Sequence, residues 1–146
     1  MSKKIIRLWT LVAVLTLALS TVISTAAQPE LKKGGNGGPV EESPNGIYIV
    51  QLIDNPVVAY EGDINGLKAT KPKAGKKINP NSSAVVNYVA YLDAKHDEIL
   101  AKAGGGQKVY DFRYSYNGFA AKLSHDQAKQ LAFMDGVVAV YADELH

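Results

Sequence analysis

Histidine is the side chain most often used for proton transfer near neutral pH, and the chain holds three of them, His96, His125 and His146. None of them stands in a Gly-x-Ser-x-Gly, His-Glu-x-x-His or Gly-x-x-x-x-Gly-Lys-Ser pattern. The run Gly104-Gly-Gly-Gln107 follows a predicted helix instead of opening one, which favours a turn over a phosphate-binding loop. The sequence therefore indicates that this chain is not an enzyme and needs no cofactor.

His96 falls on the apolar stripe of a predicted helix, a position that can suggest a metal ligand or a catalytic base. No His, Asp or Glu stands four residues further on to complete such a site, so we expect a partly buried, hydrogen-bonded structural histidine. His125 lies in the first turn of a second predicted helix, where we expect it to be solvated. The absence of cysteine excludes disulfides, thiolate metal sites and a cysteine nucleophile.

The first residues have the layout of a secretory signal. A basic start is followed by an apolar run from Leu8 to Leu19 and by small residues before a cleavage point after Ala27. The apolar run has about a dozen residues, fewer than the roughly 20 that a membrane-spanning helix needs. We therefore predict a signal peptide over residues 1–27, a secreted protein, and no membrane contact after cleavage.

The 146 residues, 47% of them hydrophobic, suit a single globular domain. Three of the 16 basic residues, Lys3, Lys4 and Arg7, lie in the signal, which leaves 13 basic against 14 acidic side chains. A nearly neutral secreted part is not expected to bind nucleic acid. Residues 28–45 are rich in Gly, Pro, Lys and Glu and predict a flexible linker, so the folded domain is placed at residues 46–146.

Within that domain the hydrophobic periodicity predicts four strands and two helices. The loop at 54–81 is unusually long, and loops of this length are commonly functional or disordered. The predicted elements are strand Ile47–Ile53, a helix between Ser83 and Ala103, strand Tyr110–Tyr116, strand Phe119–Leu123, a helix beginning at Ser124 and strand Val137–Tyr141.

Two local motifs predict how these elements are joined. Asn117-Gly118 is typical of a type I′ hairpin turn, because both central residues of that turn need a positive φ. Ser124 and Gln127 form the pattern of a capping box at the start of the second helix.

This order predicts an α+β, ferredoxin-like βαββαβ fold, with an antiparallel four-stranded sheet and two helices on one face. The other face would remain uncovered. Because the first and last strands are apolar on both sides, that face is expected to carry more apolar surface than a free monomer exposes. We therefore expect a partner to cover it.

The block Tyr116-Asn-Gly-Phe-Ala-Ala-Lys-Leu123, the helix start at Ser124 and the strand from Gly136 to Tyr141 together resemble the inhibitor I9 domain. That domain is the propeptide of subtilisin-like serine proteases of the S8 class, and the segment from Pro56 to Ile78 resembles the long extracellular type. The resemblance implies a secreted inhibitor that also acts as an intramolecular chaperone, with the protease catalytic domain as its partner.

The resemblance also implies which residues meet the protease. The open sheet face would pack on surface helices of the protease, and the tail after the last strand would run through its substrate cleft. Asp143 and Glu144 stand where the family places carboxylates that cap protease helices. The implied docking face comprises Tyr110, Phe112 and Tyr114, and the implied tail comprises Tyr141, Ala142, Asp143, Glu144, Leu145 and His146.

Several alternatives remain open at this stage. Family propeptides continue into a catalytic domain, so the chain is interpreted either as the N-terminal part of a subtilase precursor, which we favour, or as a free-standing inhibitor that is monomeric when unbound. A third interpretation is a secreted ferredoxin-like binding module for another ligand. RNA-recognition domains share this topology, but export and the nearly neutral charge argue against an RNA partner.

Overall fold

A computed structural model describes residues 37–144 of the chain. In this range the strands form one sheet in the order β2-β3-β1-β4, and all neighbouring strands are antiparallel. The predicted α+β ferredoxin-like fold is thereby confirmed. The predicted signal peptide, residues 28–36 of the predicted linker, Leu145 and His146 lie outside the described range. The elements are β1 Ile47–Leu52, α1 Ser83–Lys102, β2 Gln107–Phe112, β3 Gly118–Lys122, α2 His125–Ala132 and β4 Val137–Ala142.

The main core lies between the sheet and the two helices. Tyr48, Val50 and Leu52 of β1 are buried, whereas the residues between them are only partly buried, which is the period of two that a strand with one covered face shows. Both helices contribute to the same core, so they cover the same face, as predicted. The other core residues are Ile99, Leu100, Ala103, Phe119, Ala121, Leu123, Ala128, Leu131, Ala132, Val137 and Val140.

Side chains cap the N-terminal ends of both helices. Ser82 caps α1 and accepts a hydrogen bond from the backbone of Val85. The capping box of α2 is present, because Ser124 and Gln127 satisfy each other's backbone amides. The Gln127 amide also donates to the carbonyl oxygens of Ala103 and Gly105, so the glycine run after α1 is held as a turn against α2.

The long loop between β1 and α1 is packed against the first half of α1. Val57 and Tyr60 form a second buried cluster with residues of the first half of α1. The Tyr60 and Tyr88 rings stack with centroids 3.7 Å apart, and the Tyr88 hydroxyl donates to the carbonyl oxygen of Asn55. This packing explains how a segment without helices or strands can adopt a single conformation.

No helix in the described range is long and apolar enough to span a bilayer.

The predicted type I′ turn at Asn117-Gly118 is wrong. No described residue other than glycine has a positive φ, and Gly118 lies within β3, with the hairpin loop before it at residues 113–117. A glycine is needed at 118 for a different reason, since a Cβ there would come within 2.0 Å of the Val50 carbonyl oxygen. The Asn117 side chain is buried in the hairpin and donates to the carbonyl oxygen of Asp54.

Packing of the chain begins upstream of the predicted boundary at Gly46. Val40 packs against the main core, and Ser43 is buried with its backbone amide donating to the Tyr48 hydroxyl. The same hydroxyl lies 3.3 Å from Nδ1 of His125, which is partly buried and not simply solvated. The last residues of the predicted linker are therefore part of the folded domain.

Candidate functional site

The sheet face opposite the helices is covered by no other element in the described range. Across its middle, Ile49 pairs with Ala120 of β3 and with Tyr141 of β4, and Tyr110 of β2 pairs with Ala120. These four residues form one row across all four strands. Its two outer members, Tyr110 and Tyr141, are 58% and 52% exposed. The row is therefore an apolar strip with an accessible aromatic ring at each end.

A second cluster of aromatic rings adjoins this row at the hairpin end. The Phe112 ring lies 4.9 Å from that of Tyr110 and meets the edge of Tyr116 at 5.6 Å. Tyr116 approaches the backbone at Gly118, where a Cβ would lie 3.0 Å from its ring. The Tyr116 hydroxyl is buried without a hydrogen-bond partner among the described residues, and burial raises its pKa to about 12.

The predicted docking residues are only partly brought together. Tyr110 and Phe112 lie side by side on β2, as the alternation indicated. Tyr114 lies beyond the end of β2 in the hairpin loop, where its carbonyl oxygen accepts from the backbone of Val58. The ring that joins Phe112 on this face is that of Tyr116 and not that of Tyr114. The sequence could have indicated Tyr116, because it continues the alternating series of Tyr110 and Phe112.

The predicted tail overlaps the last strand of the sheet at its first two residues. Tyr141 and Ala142 belong to β4, and the tail proper begins at Asp143. The Asp143 backbone amide donates to the Ile47 carbonyl oxygen, and its carboxylate accepts a hydrogen bond from the Asn45 side chain at 2.9 Å. Glu144 is the last described residue, and Leu145 and His146 lie outside the described range.

Behind β2, on the helix side of the sheet, a polar network surrounds His96. The ring is fully buried, with Nδ1 2.7 Å from the Asp111 carboxylate and Nε2 2.9 Å from the Asn117 side-chain oxygen. Both ring nitrogens therefore have a hydrogen-bond partner inside the fold. Burial alone would raise the pKa of Asp111, but hydrogen bonds from His96 and Lys108 lower it below its usual value.

Asp93, His96 and Asp111 bring ligand atoms to within 4.8 Å of one another, a spacing that could suit a metal ion. These carboxylates are already paired, however. Arg113 forms ion pairs with both Asp93 and Asp111, and Lys108 with Asp111. A cation would have to displace two fixed positive charges, so we assign the network a structural role. It ties β2 to α1 and holds the strand that presents Tyr110 and Phe112.

The geometry agrees with what comparison with known proteins shows. Residues 47–145 match the peptidase inhibitor I9 family. The chain belongs to this family. The I9 family is a family of inhibitor domains, and its members are not catalytic domains. The prediction that this chain is not itself an enzyme is therefore confirmed.

Curated relatives of this I9 domain are plant proteases. The chain is 38% identical over 100 residues to the subtilisin-like protease SBT2.6 of Arabidopsis thaliana. It is 37% identical over 100 residues to the subtilisin-like protease SBT2.5 of the same plant. Each alignment covers 66% of this chain and 12% of the relative, so the chain spans only a small part of either protease.

Proposed function

We propose that this I9 domain is the propeptide part of a subtilisin-like protease precursor, which it inhibits and helps to fold. The observation that carries the proposal is the apolar sheet face with Tyr110 and Tyr141 exposed at opposite edges. Exposed apolar residues that are scattered singly are normal on a monomer. Two large exposed aromatic side chains on one continuous apolar face instead indicate a surface that a partner covers. A subtilisin-like catalytic domain is the partner to which the family and the relatives point.

The tail supplies the second half of the proposed interaction. It leaves the sheet at Asp143, on the edge strand β4, and an extended segment there can pair with an edge strand of the protease through main-chain hydrogen bonds. Asp143 and Glu144 would bring negative charge to helix N-termini of the partner, where free amides and the helix dipole favour an anion. Leu145 and His146 would continue along the substrate cleft.

Folding assistance follows from the same surface. If the sheet face packs on helices of the protease, binding stabilises those helices while the rest of the protease is still unfolded. We further propose that the protein is secreted after removal of residues 1–27, because the basic start, short apolar run and small residues form an export signal. Until the protease covers the sheet, the free domain is expected to be a monomer.

The proposal is tested by measuring inhibition of purified Arabidopsis subtilisin-like protease SBT2.6 by the chain. A double substitution, Tyr110→Ser with Tyr141→Ser, should weaken inhibition by about 100-fold, since each truncated aromatic anchor at an interface costs roughly 1 to 2 kcal/mol. Val86→Ser is the matched control, because Val86 is 52% exposed but lies on α1, away from the open face.

If the double variant loses inhibition and the Val86→Ser control does not, the result supports docking through the open face. Equal inhibition by the double variant and the parent would refute the docking face, and no inhibition by the folded parent would refute the inhibitor role. Folding assistance is measured separately, as the fraction of soluble, natively folded protease recovered after dilution from denaturant with and without the chain, determined by size-exclusion chromatography and circular dichroism so that inhibition does not affect the readout. The chain should raise that recovery.

A further inference from the structure

Asn45 connects three parts of the chain through one side chain. Its Oδ1 accepts hydrogen bonds from the Ile47 backbone amide at 2.8 Å and from the Ser43 hydroxyl at 2.6 Å. Its Nδ2 donates to the Asp143 carboxylate at 2.9 Å. The start of β1, the segment before it and the beginning of the tail are therefore joined at this residue.

The segment that carries Asn45 is itself fixed. Ser43 is only 8% exposed, and its backbone amide donates to the Tyr48 hydroxyl in the main core. The Gly46 amide donates back to the Ser43 carbonyl oxygen, which closes a turn around Asn45. Because neighbours on both sides of Asn45 are anchored and its Oδ1 accepts two hydrogen bonds, its Nδ2 is directed at the tail.

Asp143 is consequently held at two points. Its backbone amide donates to the Ile47 carbonyl oxygen at 2.9 Å, just after the end of β4, and its carboxylate is bound by Asn45. One main-chain hydrogen bond alone would leave the Asp143 side chain free to rotate. Two bonds from different atoms fix both the backbone and the side chain of the residue with which the tail begins.

We infer that Asn45 is a positioning residue for inhibition, which sets the path along which the tail from Asp143 enters the protease cleft. The inference rests on the proposed function and deepens it. Asn45 lies outside residues 47–145, the range that matches the I9 family, so the inhibitory unit of this chain extends upstream of that range. A tail that is ordered before binding loses less conformational entropy on binding, which is the advantage of preorganisation.

Asn45→Asp tests the inference with little change to the fold. An aspartate keeps both accepted hydrogen bonds, from Ile47 and Ser43, but it cannot donate to Asp143 and places two carboxylates in contact. We expect inhibition of SBT2.6 to weaken about tenfold, which corresponds to about 1.4 kcal/mol. Asn81→Asp introduces the same charge at an exposed asparagine of the long loop and should leave inhibition unchanged.

The reciprocal exchange identifies the pair. In a chain that already carries Asp143→Asn, an aspartate at position 45 can accept from the new amide, so the hydrogen bond is restored in the opposite sense. Adding Asn45→Asp to that chain should change inhibition by less than about twofold, because the coupling between two contacting residues is what a double-mutant cycle isolates. If Asn45→Asp weakens inhibition tenfold both in the parent chain and in the Asp143→Asn chain, Asn45 acts independently of the tail and the inference is overturned.

A second measurement does not depend on the protease. In the free chain, Asn45→Asp should speed hydrogen exchange of the Asp143 amide by about tenfold while the urea midpoint of the domain stays the same. Asp143→Ala, which removes the same bond from the tail side, should release the following residues in the same way. Unchanged exchange at Asp143 in Asn45→Asp would overturn the inference. If the parent chain does not inhibit, the proposed function fails, and these exchange rates still decide whether Asn45 orders the tail.

Discussion

Replacement of Asn117 by glycine separates two accounts of the hairpin. If Asn117-Gly118 formed a type I′ turn, glycine at 117 would be tolerated or would stabilise the turn, because glycine adopts positive φ freely. The structure instead shows Asn117 buried, with its side chain joining the His96 ring to the Asp54 carbonyl oxygen. Asn117→Gly should therefore destabilise the domain.

The size of the loss can be built from the contacts. The buried Nε2 of His96 would lose its partner, which costs about 1 to 2 kcal/mol, and the Asp54 carbonyl oxygen would lose a donor worth about 1 kcal/mol. The greater freedom of glycine in the unfolded chain adds about 0.5 kcal/mol. The total is about 3 kcal/mol, which for a domain of this size lowers the melting temperature by about 15 °C.

Urea and thermal unfolding followed by circular dichroism measure this difference directly. Asn81→Gly is the control, since Asn81 is an exposed residue of the long loop and its replacement should shift stability by no more than about 0.5 kcal/mol. A melting temperature for Asn117→Gly equal to or above that of the parent would refute the role assigned to the side chain and would restore the turn interpretation.

Three further predictions concern the strand contact, the long loop and acid stability. Gly118→Ala should cost about 2 kcal/mol of unfolding free energy in urea, because its Cβ would overlap the central-strand backbone, whereas Gly38→Ala meets no atom within 4 Å and should cost little. Tyr88→Phe removes the hydrogen bond to the Asn55 carbonyl oxygen while keeping the stacked ring, and should lower the urea-derived stability by about 1 kcal/mol. Because the pKa of Asp111 is lowered in the folded state, its contribution to stability is present above the unfolded pKa of about 4 and is lost as the pH falls through the folded value. Urea midpoints should therefore decline below about pH 4, and the decline should be shallower in Asp111→Asn. An equally steep decline in that variant would contradict the assignment.

The order of elements was predictable because each one carries a local signal. The reciprocal capping by Ser124 and Gln127 depends on residues that are neighbours in sequence. The alternation from Tyr110 to Tyr116 located a strand here but placed it too late, because β2 runs from Gln107 to Phe112 and the residues after Phe112 form the hairpin loop. The error at Asn117-Gly118 has the opposite origin. A turn propensity is local, but the Asn117 side chain is held by His96 and by the Asp54 carbonyl oxygen, which are far from it in sequence, and these tertiary contacts override the local preference.

The candidate site was predictable to a smaller extent for the same reason. Tyr110 and Phe112 follow from strand alternation, whereas the place of Tyr141 at the far edge of the same row depends on its register against Ile49. The contact between Asn45 and Asp143 joins the segment before β1 to the residue after β4. The pairing of β1 with β4 in the sheet brings these two segments together, and no local pattern in the predicted linker indicated it.

The position of β1 has a consequence for biosynthesis. This strand lies inside the sheet, yet it is the first in sequence of the elements between residues 37 and 144, and Val50 must wait for Phe119 and Val140 to pair on its two sides. During translation this largely apolar strand is made before both of its partners, and it stays unpaired until almost the whole domain has been made. Contacts of such long sequence separation slow folding, so the nascent chain is exposed to aggregation through this strand for most of its synthesis.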